Sequence, residues 1–242
     1  AVGDWVALMV YDGVLAIIHH ILPRYSVIKR QAAGRSADVQ IIAANIDFAF
    51  IVLAVDRDFS INRLERYLTI CNASKVSPVI VLSKTDLIPP EEVGVLLEKI
   101  KARIEKVPVI ALSNETQEGY ETLRAFITKG KTYCLLGSSG VGKSTLINRL
   151  SGKSLMDTGL VSLHTNKGRH ITSHRELVVL DNGGVLIDNP GMREVGISDD
   201  PGGLEATFSN IARLGQQCKY KDCTHTLEVG CSVIEAVENG KI

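Results

Sequence analysis

The sequence predicts an α/β protein: a mainly parallel sheet covered by helices on both faces, with a short all-β segment ahead of it and a small α-helical, metal-binding segment behind it. Three observations predict this. From about residue 37, strand-length apolar runs alternate with stretches of three-and-four apolar spacing, the mark of βαβ units. A glycine-rich loop, Gly137 to Ser144, stands between one such strand and one such helix. Near the end, Cys218, Cys223, His225 and Cys231 crowd into one short stretch, a metal spacing rather than a disulfide framework.

Composition narrows the classes. A chain of 242 residues accommodates a medium domain with small companions. Its 45% hydrophobic and 22% charged residues are ordinary for a folded globular protein and suggest neither disorder nor a membrane class. The longest apolar run, Phe48 to Val55, is far too short to span a bilayer, and no leader pattern opens the chain, so the cytoplasm is the default. A single copy is the expected state. A formal net charge of zero argues against a whole-protein basic field, so any RNA contact must be local. Cys71 and Cys134 lie within apolar periodic stretches and read as buried, inert thiols.

Taken in order, Asp4 to Val10, a turn at Asp12-Gly13, Val14 to Ile21 and Tyr25 to Arg30 read as short strands of a first domain over 1–36. A second domain over 37–199 opens with the buried strand Phe48 to Val55. Ser60 caps a helix through about Ser74, with Ile61, Leu64, Tyr67, Leu68 and Cys71 on one face. Strand Val79 to Leu82 follows, Pro90 opens a helix, Val107 to Leu112 is a strand, and a helix spans about Glu118 to Lys129. Then come strand Thr132 to Leu136, a helix beginning near Lys143, a long polar stretch to Arg175, and strands Glu176 to Leu180 and Val185 to Asp188. A loop of that length is usually functional. The remainder, 200–242, is the metal-binding segment.

The stretch Gly137-Ser138-Ser139-Gly140-Val141-Gly142-Lys143-Ser144 has the spacing of a phosphate-binding loop in the required strand-loop-helix context. Its glycines let successive backbone N–H groups, through Thr145, curl around phosphates at the positive end of a helix. Lys143 reaches the terminal phosphates and Ser144 holds Mg²⁺. Asp188-Asn189-Pro190-Gly191 follows an apolar strand and supplies a carboxylate for the Mg²⁺ shell, with Gly191 able to approach a γ-phosphate. Apart from such a loop, that tetrad is a common turn.

Guanine presents a ring N–H and an exocyclic amine, which one fixed carboxylate accepts together. Ser83-Lys84-Thr85-Asp86, after a strand, supplies it in Asp86, with Lys84 placed to lie along the ring. Adenine would leave that carboxylate unpaired, at high cost in a dry site. Ser113 and Asn114, after the next strand, form the second loop expected around the base. Both base loops precede the phosphate loop, the reverse of ordinary small GTPases.

That order, together with Gly3-Asp4, Ala44-Asn45-Ile46-Asp47, the Ser83 tetrad, Gly137 to Thr145, Gly168 to Ser173, Gly183-Gly184, Asp188 to Glu194 and the cluster from Cys218, resembles the circularly permuted, small-ribosomal-subunit-dependent GTPase family known as RsgA or YjeQ. The resemblance implies an OB-fold at the amino terminus, a permuted GTPase domain and a zinc-binding tail. It implies GTP hydrolysed to GDP during late maturation of the small ribosomal subunit, with ribosomal RNA as partner and no membrane. It gives His170 the task of orienting the attacking water, since Met192, just after the Asp-x-Pro-Gly glycine, carries a thioether that cannot. It makes Thr172 the second Mg²⁺ ligand, with Ser173 its substitute. The family usually has Asn where this chain has Ser83, and the shorter hydroxyl is expected to support base and phosphate loop less well.

Cys218, Cys223, His225 and Cys231 supply four protein ligands and leave no open position, so the zinc is expected to be structural. The competing classes are a P-loop ATPase or kinase, which the Asp86 carboxylate argues against, and a nucleic-acid-binding module that merely holds nucleotide. Arg24, Lys29, Arg30 and Arg35 ahead of the sheet, and Lys219 and Lys221 at the knot, are ordinary solvated charges by themselves.

Overall fold

The computed structural model describes residues 1–11, 15–31, 39–56, 59–152, 177–188 and 201–242. Its centre is a six-stranded sheet of β5 (Phe48–Ala54), β6 (Ser77–Ser83), β7 (Val109–Ala111), β8 (Thr132–Leu136), β9 (Leu177–Val179) and β10 (Val185–Asp188), ordered β7-β6-β5-β8-β10-β9. All neighbours are parallel except β9, which runs antiparallel along β10 at the edge.

Consecutive residues of β5 feed opposite faces, as strand geometry demands. Ile51 and Leu53 join Leu64, Tyr67, Leu68, Cys71 and Ile100 in one core, under α1 (Ile61–Ala73) and α2 (Pro90–Arg103). Phe50 and Val52 join Tyr120, Leu123, Leu146 and Ile147 in the other, under α3 (Tyr120–Phe126) and α4 (Lys143–Ser151). With both faces covered, β5 and β6 are continuous apolar runs, which is what made them legible as buried strands. Ser60 caps α1 by accepting from Arg63 N, and Pro opens α2, where its missing N–H costs nothing. Cys71 and Cys134 are fully enclosed, and burial pushes the Cys71 thiol up to about 12, as inert core cysteines require.

The amino-terminal part is two antiparallel pairs, β1 (Val6–Tyr11) with β2 (Leu15–Ile21) and β3 (Val27–Gln31) with β4 (Val39–Ala44). The expected Asp12-Gly13 turn lies outside the described residues. Strand β4 follows directly on the stretch read as the first domain. It pairs with β3, so β-pairing of the amino-terminal part continues to Ala44.

This part is fastened to the central sheet. Val2 bridges Ala43, Asn45 Nδ2 donates to Gly3 O at 2.8 Å, and Tyr25 Oη donates to Asn45 O at 2.7 Å. A methyl on Gly3, at φ +87°, would lie 2.1 Å from Ala44 O, so only glycine permits the approach. Arg24 clasps Asp4 with two bonds, Nε to Oδ1 at 2.6 Å and Nη2 to Oδ2 at 2.8 Å. Asp47, one residue before β5, accepts from Lys131 Nζ at 2.8 Å and Thr132 N at 2.9 Å and so ties this junction to the start of β8.

After β10 the described chain resumes with α5 (Pro201–Thr207), α6 (Ser209–Gly215) and α7 (Ser232–Glu238). Helix α5 lies on α1. A methyl on Gly203 would sit 2.8 Å from Thr69 O, and Asn72 Nδ2 donates to Thr207 Oγ1 at 2.9 Å. Among the described residues no helix is long and apolar enough to cross a membrane.

Candidate nucleotide site and metal centre

The loops after β6, β7 and β8 and the end of β10 all leave the carboxyl ends of parallel strands, the rim where α/β sheets bind ligands. The loop Gly137–Gly142 turns the chain from β8 into α4. Gly137 has φ +145°, and a methyl there would meet Val52 O at 2.4 Å. Gly142, at φ +96°, caps α4. Ser138 is buried, while Ser139 and Gly140 are exposed and Ser144 and Thr145, in the first turn of α4, are partly exposed. Lys143 Nζ donates to Gly137 O at 2.8 Å and Ser138 O at 2.6 Å, so the ammonium lies within the curl of its own loop.

The base loops are bound to this loop directly. Ser83 is 1% exposed, and its Oγ lies 2.7 Å from Val141 O and 3.1 Å from Leu53 O. The short hydroxyl therefore does reach the phosphate loop. Asp86 lies in a 3-10 turn, Thr85–Leu87, and Ser113 Oγ donates to its Oδ1. The same Ser113 oxygen accepts from the N–H groups of Glu115 and Thr116, each at 3.1 Å, so its hydrogen is committed to Asp86 and the carboxylate is held in place. Lys84, in the left-handed region at φ +62°, reaches Asp56 Oδ2 at 2.8 Å. Asn114 Nδ2 faces Gly142 O at 3.4 Å, and Asn114 Oδ1 accepts from Tyr120 Oη at 2.6 Å. Burial pushes the Tyr120 phenol up to about 12, so it stays a donor.

Asp188 ends β10 opposite Leu135 of β8, two residues before the phosphate loop. The residue is buried, 4% exposed. Serine hydroxyl and carboxylate oxygens are the hard donors that Mg²⁺ takes. His170, Thr172, Ser173, Gly191 and Met192 lie outside the described residues.

The four tail ligand atoms lie within 4.8 Å of one another. Cys218 Sγ is 3.8 Å from Cys231 Sγ and 3.6 Å from His225 Nδ1, and His225 Nδ1 is 3.3 Å from Cys231 Sγ. Tetrahedral zinc, with bonds of about 2.3 Å to sulfur and about 2.0 Å to nitrogen, sets ligand atoms about 3.8 Å (S to S) and about 3.5 Å (S to N) apart. The donor set fits. Glu228 arranges the knuckle: its carboxylate accepts from the Thr224 hydroxyl and from the N–H groups of Thr224, Thr226 and Leu227 at 2.8, 2.9 and 3.0 Å, and these bonds, the hydroxyl's foremost, hold its carboxyl well below the usual range. His225 takes φ +59° inside this loop.

Three contributors escape motif reading. Asp56 and Tyr120 meet their partners only after folding, although the position of Asp56 just past β5, on the ligand rim, was an available signal. Glu228 lies in the Thr-x-Thr-x-Glu run between two ligands, where a carboxylate near several loop N–H groups is a local-structure cue.

A family model described as RsgA GTPase matches residues 21–198. The small ribosomal subunit biogenesis GTPase RsgA of Methanosarcina acetivorans is 45% identical over 242 residues, covering all of this chain and 65% of that protein. RsgA 2 of Lactiplantibacillus plantarum is 47% identical, over all of this chain and 67% of that protein. Among solved structures, YjeQ from Thermotoga maritima superposes with a TM-score of 0.71 at 27% identity, covering 99% of this chain and 78% of that one. YloQ, described as a circularly permuted GTPase, gives 0.68 at 26% identity over 99% and 74%. The chain thus spans about two thirds of the length of the curated relatives it matches.

Proposed function

The chain belongs to the RsgA GTPase family, and on that premise we propose that it binds GTP with Mg²⁺ and hydrolyses it to GDP and phosphate in the cytoplasm, in late maturation of the small ribosomal subunit. The observation that carries this reading is the joining of the loops. Ser83 and Asn114, from the two base loops, lie against the adjacent carbonyls of Val141 and Gly142 in the phosphate loop. One nucleotide can then span from Asp86 to Lys143.

In this reading Asp86 accepts the two guanine hydrogens, already oriented by Ser113, and the Lys84 stem lies along the ring. The N–H groups from Ser138 to Thr145 receive phosphate oxygens, and Lys143 exchanges its bonds to Gly137 O and Ser138 O for them. Ser144, Asp188 and Thr172 would hold Mg²⁺, which neutralises charge on the phosphate oxygens when bound. Gly191 approaches the γ-phosphate. His170 orients the attacking water, because Met192 offers no group that can. Cys218, Cys223, His225 and Cys231 would hold a structural zinc that keeps the tail folded. Ribosomal RNA is the partner, met by the amino-terminal β-structure and the tail.

Turnover by the free protein is slow on this account and rises when the protein binds the small ribosomal subunit. The experiment is GTP turnover with and without purified small subunits. Equal rates would remove the proposal.

A further inference from the structure

The loop after β7 touches the phosphate loop through Asn114, and Asn114 is held by Tyr120, a residue outside both motifs. Tyr120 is 3% exposed at the start of α3, and Asn114 is 7% exposed. The phenol donates to Asn114 Oδ1 at 2.6 Å, and Asn114 Nδ2 then points at Gly142 O, 3.4 Å away. The opposite amide orientation would set two oxygens against each other at that separation, so the phenol and the Gly142 carbonyl together select one orientation. The contact is close, since a methyl on Gly142 would lie 2.5 Å from the same nitrogen.

The tie from the other base loop is short of hydrogens. Ser83 has one hydroxyl proton and two carbonyls within reach, Val141 O at 2.7 Å and Leu53 O at 3.1 Å. Whatever it gives to β5 it withholds from the phosphate loop.

We propose that Asn114, oriented by Tyr120, is a second tie between base loop and phosphate loop, and that Tyr120 is thereby a positioning residue for nucleotide affinity. Resting on the nucleotide reading above, this assigns to the pair the spacing between the Asp86 carboxylate and the Lys143 ammonium. A ligand that bridges both ends gains when that spacing is preset, because less order must be created on binding.

The test compares wild type, Tyr120→Phe, Asn114→Ala and the double variant, each titrated with GDP. Tyr120→Phe removes one oxygen, keeps the ring in its pocket and leaves Asn114 Oδ1 without its donor. Each single change is expected to weaken GDP about three- to tenfold, the scale of one buried hydrogen bond, and in Tyr120→Phe to raise KM for GTP. The double variant should be no weaker than Asn114→Ala alone, since the phenol acts through Asn114. Additive losses would overturn the proposal, as would a Tyr120→Phe protein that melts lower without nucleotide yet binds GDP as wild type does. Wild type without preference for GDP over ADP would instead overturn the reading of the site itself, whatever the variants do.

Discussion

Removing one zinc ligand, Cys223→Ala, is expected to unfold the tail and leave the sheet intact. The reason is how little else holds the tail. Of residues 216–242 only Cys231, Val233 and Ala236 are buried, and one of these is itself a ligand. Burying Val233 contributes about 2 kcal/mol, whereas ordering each residue costs about 1–2 kcal/mol. Structural zinc supplies on the order of 10–16 kcal/mol in zinc-finger peptides near neutral pH. Zinc bound by these four ligands would therefore be the dominant stabiliser. Elemental analysis of the wild type should find one zinc per chain, falling well below that in the variant. Hydrogen exchange should then lose protection at Glu235 N of α7 and at Asn239 N, its C-cap, which bond to Cys231 O and Glu235 O, while Ile80 N of β6 and Leu112 N, which bonds to Leu82 O of β6, remain protected. A variant that keeps stoichiometric zinc, or loses zinc with α7 still protected, refutes the argument.

Three further outcomes are expected. Asp86→Asn replaces an acceptor of two hydrogens by a group with one acceptor and one donor, so preference should move at least about tenfold from guanosine towards xanthosine diphosphate; unchanged selectivity in paired titrations contradicts the assignment. Gly137→Ala should lower stability by at least about 2 kcal/mol in urea melts, because its methyl meets a backbone oxygen at 2.4 Å and the residue sits at φ +145°; a neutral result would refute the loop geometry. The Arg24 clasp holds the Asp4 carboxyl well below its ordinary value of 3.8, so its stabilisation is complete above that value and is lost as pH falls towards the lowered one. The melting-temperature gap between wild type and Arg24→Gln, followed by the fluorescence of Trp5, should therefore narrow from pH 7 to pH 3, and a constant gap would exclude this linkage.

Much of the central fold was legible because its signals are local. Buried parallel strands write apolar runs, Ser60 and Pro90 mark helix starts, and the phosphate loop has fixed spacing. The tail cluster was equally readable, since four ligands in one short stretch leave few alternatives. Strand β4 was not, because its identity comes from pairing with β3 and not from its own pattern. Helix α5 hides behind Gly202 and Gly203, poor helix formers by about 1 kcal/mol each. Its reason is tertiary: Gly203 lets the helix press onto Thr69 and Ala73 of α1. Tyr120 and Asp56 likewise acquire their roles from partners that only the folded sheet brings near.

The crowding of every recognition loop at one border of the parallel sheet has an evolutionary corollary. Strands fix where each loop emerges, so the sequence in which a ribosome spells them out is immaterial to the assembled pocket. Lys129–Lys131 lie exposed on the far border around an unobstructed Gly130, away from those loops. Permutation thus rearranges the spelling of this machine while its working border stays the same.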